Sequence, residues 1–285
     1  MINIVSWNIQ CGRGTDGQID FDRIAQDIKK FGDVDVICLQ EVARYDPELD
    51  DGEGADQMAV LGEFFPEYDR FFGPALSRHR KGDKHRRQFG NMILSRIPVL
   101  QTFNHLLPQP VPPVACKNMI RQALEVVVKT QSGPLRITTS HLEYHDEYQR
   151  LAQVERLCEI QNECARNAAA VTVSPPAGPY ANIPRPMKAV LCGDFNSLPD
   201  DPVYRLLTDN KKQPAKFLDA WLLAHPETPH APTCGIFDRQ QWPEGAHCRD
   251  FFFLTKDLES AVITCTVNQQ TAASDHQPIL LSLTC

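Results

Sequence analysis

The chain has no run of roughly 18 apolar residues, the length that a membrane-spanning helix requires. It has no CxxC pair, no internal repeat and no low-complexity tail. Its start lacks a basic region followed by a long apolar stretch, so it does not read as a secretory signal. A surplus of positive charge is missing too: across 285 residues the net charge is −7, which argues against broad coating of nucleic acid. These absences set aside a membrane-inserted protein, a paired-thiol redox protein and a solenoid. They leave the expectation of a cytoplasmic protein with no membrane insertion and no evident obligate protein partner.

What is present is a large apolar content, 42% of residues, enough for a sizeable core. The ten cysteines are scattered, and Cys38, Cys192 and Cys265 lie inside apolar runs, where Cys acts as a small hydrophobe. Cys234, His247 and Cys248 offer zinc-type donors, but no fourth ligand stands at a recognised spacing. Pro-rich stretches at Pro108–Pro113 and Ser174–Pro186 read as loops, because the strand pattern resumes beyond each. A single domain over residues 1–285 is expected.

Short apolar runs recur and end in polar chemistry. Ile2–Trp7 leads to Asn8, Asp35–Leu39 to Gln40 and Glu41, and Asn91–Ser95 to Arg96. Leu124–Val128 and Leu135–Thr139 follow, the second leading to His141. Ala189–Cys192 leads to Gly193-Asp194-Phe195-Asn196, Phe251–Leu254 starts from Asp250, and Ala261–Val267 and Ile279–Leu283 close the set. Their length and branched or aromatic content predict strands. Asp20 predicts a capped helix with Phe21, Ile24 and Ile28 on one face. Met58, Leu61, Phe64 and Phe65 predict a second helix, Glu147–Ala170 a long third, and Asp201-Pro202 opens a short one to Leu207. Consecutive strands exclude simple βαβ alternation and predict an α/β fold of two mixed sheets packed face to face with helices outside.

The strand ends carry Asn8, Glu41, His141, Asp194, Asn196 and the Ser274-Asp275-His276 turn. One such carboxylate is usually a solvated loop residue. Several at strand ends can converge on one rim, and oxygen-rich donors without Cys select a hard cation, Mg²⁺ or Mn²⁺. That cation suits phosphate chemistry.

Ser6-Trp7-Asn8, Leu39-Gln40-Glu41-Val42, Gly90–Arg96, Ser140-His141-Leu142-Glu143, Gly193-Asp194-Phe195-Asn196 and Ser274-Asp275-His276 occur in this order. Together they resemble the endonuclease/exonuclease/phosphatase superfamily, which includes pancreatic-type deoxyribonuclease and the abasic-site endonucleases. The resemblance runs from residue 6 to 276 and implies a four-layer α/β/β/α sandwich. By resemblance, Glu41 is the principal metal carboxylate, Asn8 supports metal or phosphate, and Asp275 binds metal or assists the base. Asp194 orients or deprotonates the attacking water, and Asn196 holds that water or a phosphate oxygen. His276 stabilises charge building on the phosphoryl oxygen, Asp250 orients His276, and His141 contacts a phosphate oxygen or the leaving group. Gln10 stands where some members carry an acidic ligand. Arg249 stands one place later than the Arg usual before the matching Asp, which puts that arginine's contact in doubt.

The resemblance implies a metal-dependent phosphoesterase acting by in-line attack of water, but it hosts nucleases, phosphatases and phospholipid-head-group enzymes alike. The choice between a nucleic acid and a small phosphate ester rests on Arg78–Arg87, with six Lys or Arg in ten residues. Arg80, Lys84, Arg86 and Arg87, with Asn91 on the strand that follows, are candidates for gripping substrate phosphates. That makes phosphodiester bonds in nucleic acid the leading expectation, a small ester the alternative, and an inactive binding module the third. Arg121 can serve a phosphate or an ion pair at the core edge, and Glu143 and His145 read as a solvated helix start.

Overall fold

The computed structural model describes residues 1–169, 177–181, 183, 185–209 and 217–284. Two six-stranded mixed sheets form the centre. The first runs in the order β11 (Val262–Val267), β12 (Ile279–Leu283), β1 (Ile2–Asn8), β2 (Val36–Arg44), β4 (Arg87–Ser95), β3 (Asp69–Arg78). The second runs β5 (Val99–Leu106), β6 (Gln122–Thr130), β7 (Gly133–His141), β8 (Ala189–Asp194), β10 (Asp250–Thr255), β9 (Phe217–Asp219). β1 and β2 pair parallel, as do β7 and β8.

Side chains alternate across each strand, so each sheet has two apolar faces to cover. Ile4, Val36, Cys38 and Ile93 of the first sheet meet Val126, Ile137, Val190, Cys192 and Phe252 of the second, forming the core between the sheets. The opposite face of the first sheet, with Val5, Trp7, Ile37 and Leu39, packs on Ile24, Ile28 and Leu61. Those come from α1 (Phe21–Lys29) and α2 (Gln57–Phe64). Leu191, Phe251 and Phe253 pack outward on Val154, Leu157, Val203 and Leu207, from α3 (Glu147–Ala169) and α4 (Pro202–Thr208). Three apolar layers between four structural layers make the α/β/β/α sandwich. Asp20 caps α1 by accepting from the Arg23 N–H, as the sequence predicts.

Departures from the expected elements are local. β3, β5 and β9 were not expected from their sequences, and all three stand at sheet edges. β3 carries Gly73-Pro74 and a register shift beside them, tolerated where one side of a strand has no partner. β5 alternates half-buried and exposed residues instead of presenting an apolar run. α2 stops at Phe64, one residue before the expected Phe65. The predicted end of the long helix at Ala170 and most of the loop at Ser174–Pro186 lie outside the described residues.

Candidate active site

Parallel pairing of β1 with β2 and of β7 with β8 puts their C-terminal ends at one edge of the sandwich. Asn8 ends β1, His141 ends β7 and Asp194 ends β8, where His141 and Asp194 are register partners. β10 runs antiparallel to β8, so its first residue, Asp250, lies opposite Asp194. The Ser274–His276 turn reaches the same edge through the Ser274 hydroxyl, which donates to the Asn8 carbonyl at 2.8 Å. Trp7, wholly buried, donates from its indole to the His276 carbonyl at 2.9 Å.

The backbone is strained around these groups. Glu41 sits at a bulge where the β2–β4 register shifts between Leu39 and Val42, with φ at 58°. Gln10, Cys11 and Asn196 also have positive φ, at 45°, 53° and 49°. Such non-glycine outliers cost energy and gather where geometry is constrained by function. Gly193 has φ of 131°, and a Cβ there would come within 1.9 Å of the Ser140 carbonyl oxygen, so the turn into Asp194 requires glycine.

Asp194 is the hub. Its Oδ1 accepts the Asn196 backbone N–H at 2.9 Å. Its Oδ2 accepts the Asn8 amide at 3.0 Å and stands 3.4 Å from His141 Nε2 and 3.7 Å from His276 Nε2. The Asn8 amide also reaches Glu41 at 3.1 Å, joining the two sheets across the cleft. His276 Nδ1 lies 2.8 Å from Asp250 Oδ2. The Thr233 hydroxyl meets the same Oδ2 at 2.6 Å. That hydroxyl accepts from the N–H groups of Arg249 and Asp250, which leaves its own proton for the carboxylate.

Burial works against charge everywhere here, and neighbours decide the outcome. Burial would lower His276, but Asp250, Asp194 and Asp275 hold it well above the usual imidazole range, as an imidazolium. Burial would raise Asp194, yet His276 and His141 keep it below the usual carboxylate value, ionised. Burial and the Arg121 charge push His141 down to about 3, so it is neutral. A neutral imidazole has one N–H to give, so His141 serves Asp194 or a phosphate oxygen, not both. Burial and Asp275 raise Glu41 to about 7, although 26% of its side chain faces the cleft.

A raised carboxylate beside a second acid fits a cation, which relieves the repulsion between them and favours the ionised form of Glu41. Asp194, Asp250 and His276 also place ligand atoms within 4.8 Å of one another and could hold an ion. Glu41 and Asp275, which also line the cleft, offer oxygen donors that could likewise hold a hard cation such as Mg²⁺ or Mn²⁺.

The cleft has a volume of about 290 Å³. Asn8, Glu41, His141, Asp194, Asn196, Asp275 and His276 all line it, and Asp250 stands behind His276. Gln10 and Arg121, also weighed from the sequence, line it too, whereas Asn91 and the basic-hairpin residues do not. Asn91 is buried, donating to the Gln122 carbonyl at 3.3 Å. Arg80 pairs with Glu48. Arg87 pairs with Asp83 at 2.9 Å and Glu48 at 3.2 Å. Arg86 donates to the Ser77 hydroxyl at 2.9 Å, and Lys84 is exposed near the hairpin tip. Cys234 and His247 do meet, at 3.2 Å, but the Cys248 thiol turns to the Asp250 carbonyl.

Sequence reading missed part of the cleft. Leu49, Phe89, Met119, Tyr144, Gln241 and Trp242 line it. Trp242 donates to Asp275 at 3.3 Å, and the Arg249 guanidinium lies 4.8 Å from its ring centre. Glu143, expected as solvated, is fully buried and holds Arg121. Only the tertiary fold brings these together, so no local spacing signals them.

A model of the Endonuclease/Exonuclease/phosphatase family matches residues 5–276. Among solved structures, a Beutenbergia cavernae protein described as an endonuclease/exonuclease/phosphatase is 22% identical, with a TM-score of 0.70, over 99% of this chain and 71% of its own. A mannosyl-6-phosphatase from Bacteroides thetaiotaomicron is 18% identical at a TM-score of 0.69, over the full length of both chains. Truncated Caenorhabditis elegans TDP2 is 18% identical at 0.66, over 100% of this chain and 97% of its own. No curated protein matches. No helix among the described residues is long and apolar enough to cross a membrane.

Proposed function

Because the chain belongs to the endonuclease/exonuclease/phosphatase family, we propose that it is a divalent-metal-dependent phosphoric ester hydrolase that attacks its substrate with water. The observation that carries this reading is the Asp194 carboxylate, whose Oδ2 faces Asn8, His141 and His276 at the cleft floor. Ionised Asp194 is placed to take the proton of an attacking water, its Oδ1 being tied to the Asn196 N–H. The His276 imidazolium, anchored through Nδ1 to Asp250, keeps Nε2–H for a phosphoryl oxygen as negative charge builds there. Glu41 and Asp275, with Asn8 beside them, would hold Mg²⁺ or Mn²⁺. When bound, that cation polarises the phosphoryl oxygen and steadies the leaving oxygen.

The ion pairs of the β3–β4 hairpin favour a compact ester over a polynucleotide. Flanking phosphates need free cations, and here Asp46, Glu48 and Asp83 engage Arg78, Arg80 and Arg87. A cleft of about 290 Å³ is at the small end for ligand sites, which agrees with a compact substrate.

The test is hydrolysis of bis-p-nitrophenyl and p-nitrophenyl phosphate with and without chelator. We expect activity to vanish with chelator, to return with Mg²⁺ or Mn²⁺, and to need far more metal in Glu41→Gln. Full activity in excess chelator would sink the reading.

A further inference from the structure

We propose that the substrate of this cleft carries an apolar esterifying group, recognised by a wall of Leu49, Phe89 and Met119, while Arg121 grips its phosphate. The inference rests on the phosphate-ester reading and narrows it to a substrate class.

The wall and the grip are built as one unit. Glu143 is fully buried just beyond His141. Its Oε2 accepts the Met119 backbone N–H at 3.1 Å and faces Arg121 Nε at 3.4 Å, while its Oε1 accepts the His145 N–H at 3.0 Å. One buried carboxylate therefore fixes the backbone of Met119 and the guanidinium of Arg121, two residues apart. The carboxylate takes only Nε, and among the described residues the terminal nitrogens of Arg121 have no protein partner. Arg121 lines the cleft, where its charge is felt by both Glu41 and His141. A planar guanidinium held by Nε presents its free edge to a phosphate as a two-pronged donor.

The segment carrying Met119 is pinned from below. Gln149 of α3 donates to the Pro110 carbonyl at 2.6 Å, and Gln153 donates to the Pro108 carbonyl at 3.3 Å. Gln109 donates to Asn118 at 2.7 Å, closing the segment on itself. Met119 thus stands on a braced loop. Leu49 and Phe89 approach from the acidic loop after β2 and from β4, and all three side chains are half-buried. Apolar surface left partly wet beside a polar catalytic floor is the arrangement expected of a ligand site that binds an apolar body and a charged head. A sugar or a nucleotide chain would lay hydroxyls and phosphates against the apolar side chains of Leu49, Phe89 and Met119.

Calorimetry with two phosphonates that cannot turn over tests this apart from catalysis. In the presence of Mn²⁺ we expect phenylphosphonate to bind at least about tenfold more tightly than methylphosphonate. Met119→Ala should remove most of that preference and leave methylphosphonate affinity unchanged. Arg121→Gln should weaken both phosphonates alike, and Arg121→Lys should restore only part. Equal affinity for the two phosphonates, or a preference untouched by Met119→Ala, overturns the apolar wall. A parallel kcat/KM series with p-nitrophenyl phosphate, glycerol 3-phosphate, a hexose 6-phosphate and a DNA oligonucleotide should rank the aryl ester first. The oligonucleotide or the sugar phosphate ranking first also overturns it. Phosphonate discrimination without hydrolysis of any ester would instead refute the hydrolase reading and leave the wall standing.

Discussion

Two carboxylates, one fully buried and one half-buried at the cleft, show how differently one residue type is used in this molecule. Glu125, on the outer face of the second sheet, is fully buried, and burial alone would raise its pKa. His105, Arg136 and Arg185 more than reverse this and hold it down to about 2. Arg185 Nε stands 3.0 Å from one oxygen and Arg136 3.2 Å from the other. Glu41, at the cleft, receives one amide bond from Asn8 and has Asp275 for a neighbour, and it is raised to about 7. A carboxylate whose charge is matched within the fold is structural. One whose charge is left largely unmatched invites a partner from outside, which on the proposed reading is a cation.

If the unmatched end is the working end, substitutions there should strike turnover hardest. Asp194→Asn and His276→Ala should each lower kcat by at least about 10²-fold, the scale of a lost acid–base or oxyanion group. Asp250 acts through His276, so the Asp250→Asn, His276→Ala double variant should be little worse than the worse single. Thr233→Val should lower kcat less and shift the pH profile, because the hydroxyl helps hold Asp250, and Thr233→Ser should recover both. Additive losses in the double variant would break the Asp250–His276 pairing.

The next effect is on stability, and its sign should differ between the two carboxylates. Glu125 is depressed when folded, so its contribution is complete above its unfolded pKa near 4.5 and is lost as pH falls toward about 2. The shift corresponds to about 3 kcal/mol, so Glu125→Gln should lower Tm at pH 7 by several degrees without moving KM. Glu41 is raised when folded, so in metal-free protein it destabilises increasingly as pH rises from about 4.5 through about 7. Glu41→Gln should therefore raise the metal-free Tm at pH 8, and Mn²⁺ should reverse the ranking by stabilising only the wild type. Equal, same-sign changes in Tm for both variants would erase the distinction.

Much of the cleft lining was legible in the sequence because Asn8, His141 and Asp194 end buried strands and Asp250 begins one. Asn8, His141 and Asp194 follow strands whose length and branching admit no other reading, and parallel pairing then fixes which ends meet. Edge strands were harder to see. β5 has no apolar run, and β3 contains Gly73-Pro74, a pair that speaks against a strand unless one side of it is free. Glu143 was misread because His141-Leu142-Glu143-Tyr144-His145 looks locally like a solvated helix start. Its partners Met119 and Arg121 are 24 and 22 residues away. The ion pairing of the basic hairpin was hidden for a related reason. Its cations are visible in one segment, but Asp46 and Glu48 lie 32 residues before their partners Arg78 and Arg80, and only folding brings the two loops together.

That hairpin sets up the smallest expected effect and the sharpest check on the contrast between matched and unmatched charge. Arg80 and Arg87 are matched by Glu48 and Asp83, and Arg86 is tied to Ser77. Replacing Arg80, Lys84, Arg86 and Arg87 together with Ala removes four cations, yet none of the four lines the cleft. kcat and KM for p-nitrophenyl phosphate should change less than about twofold. The Arg80–Glu48 pair is exposed and contributes little to stability, whereas Arg87 and Asp83 are only 12% and 13% exposed, so Tm should fall modestly and through Arg87. The informative measurement is oligonucleotide affinity against salt. A protein using these cations on flanking phosphates loses affinity with a slope of roughly −0.7 to −0.9 per phosphate contacted, and the variant flattens it. Matched cations release few counterions, so wild type and variant should share a shallow slope. A steep wild-type slope that collapses in the variant would mean that substrate displaces Glu48 and Asp83 from their partners, and it would return the polynucleotide to the cleft.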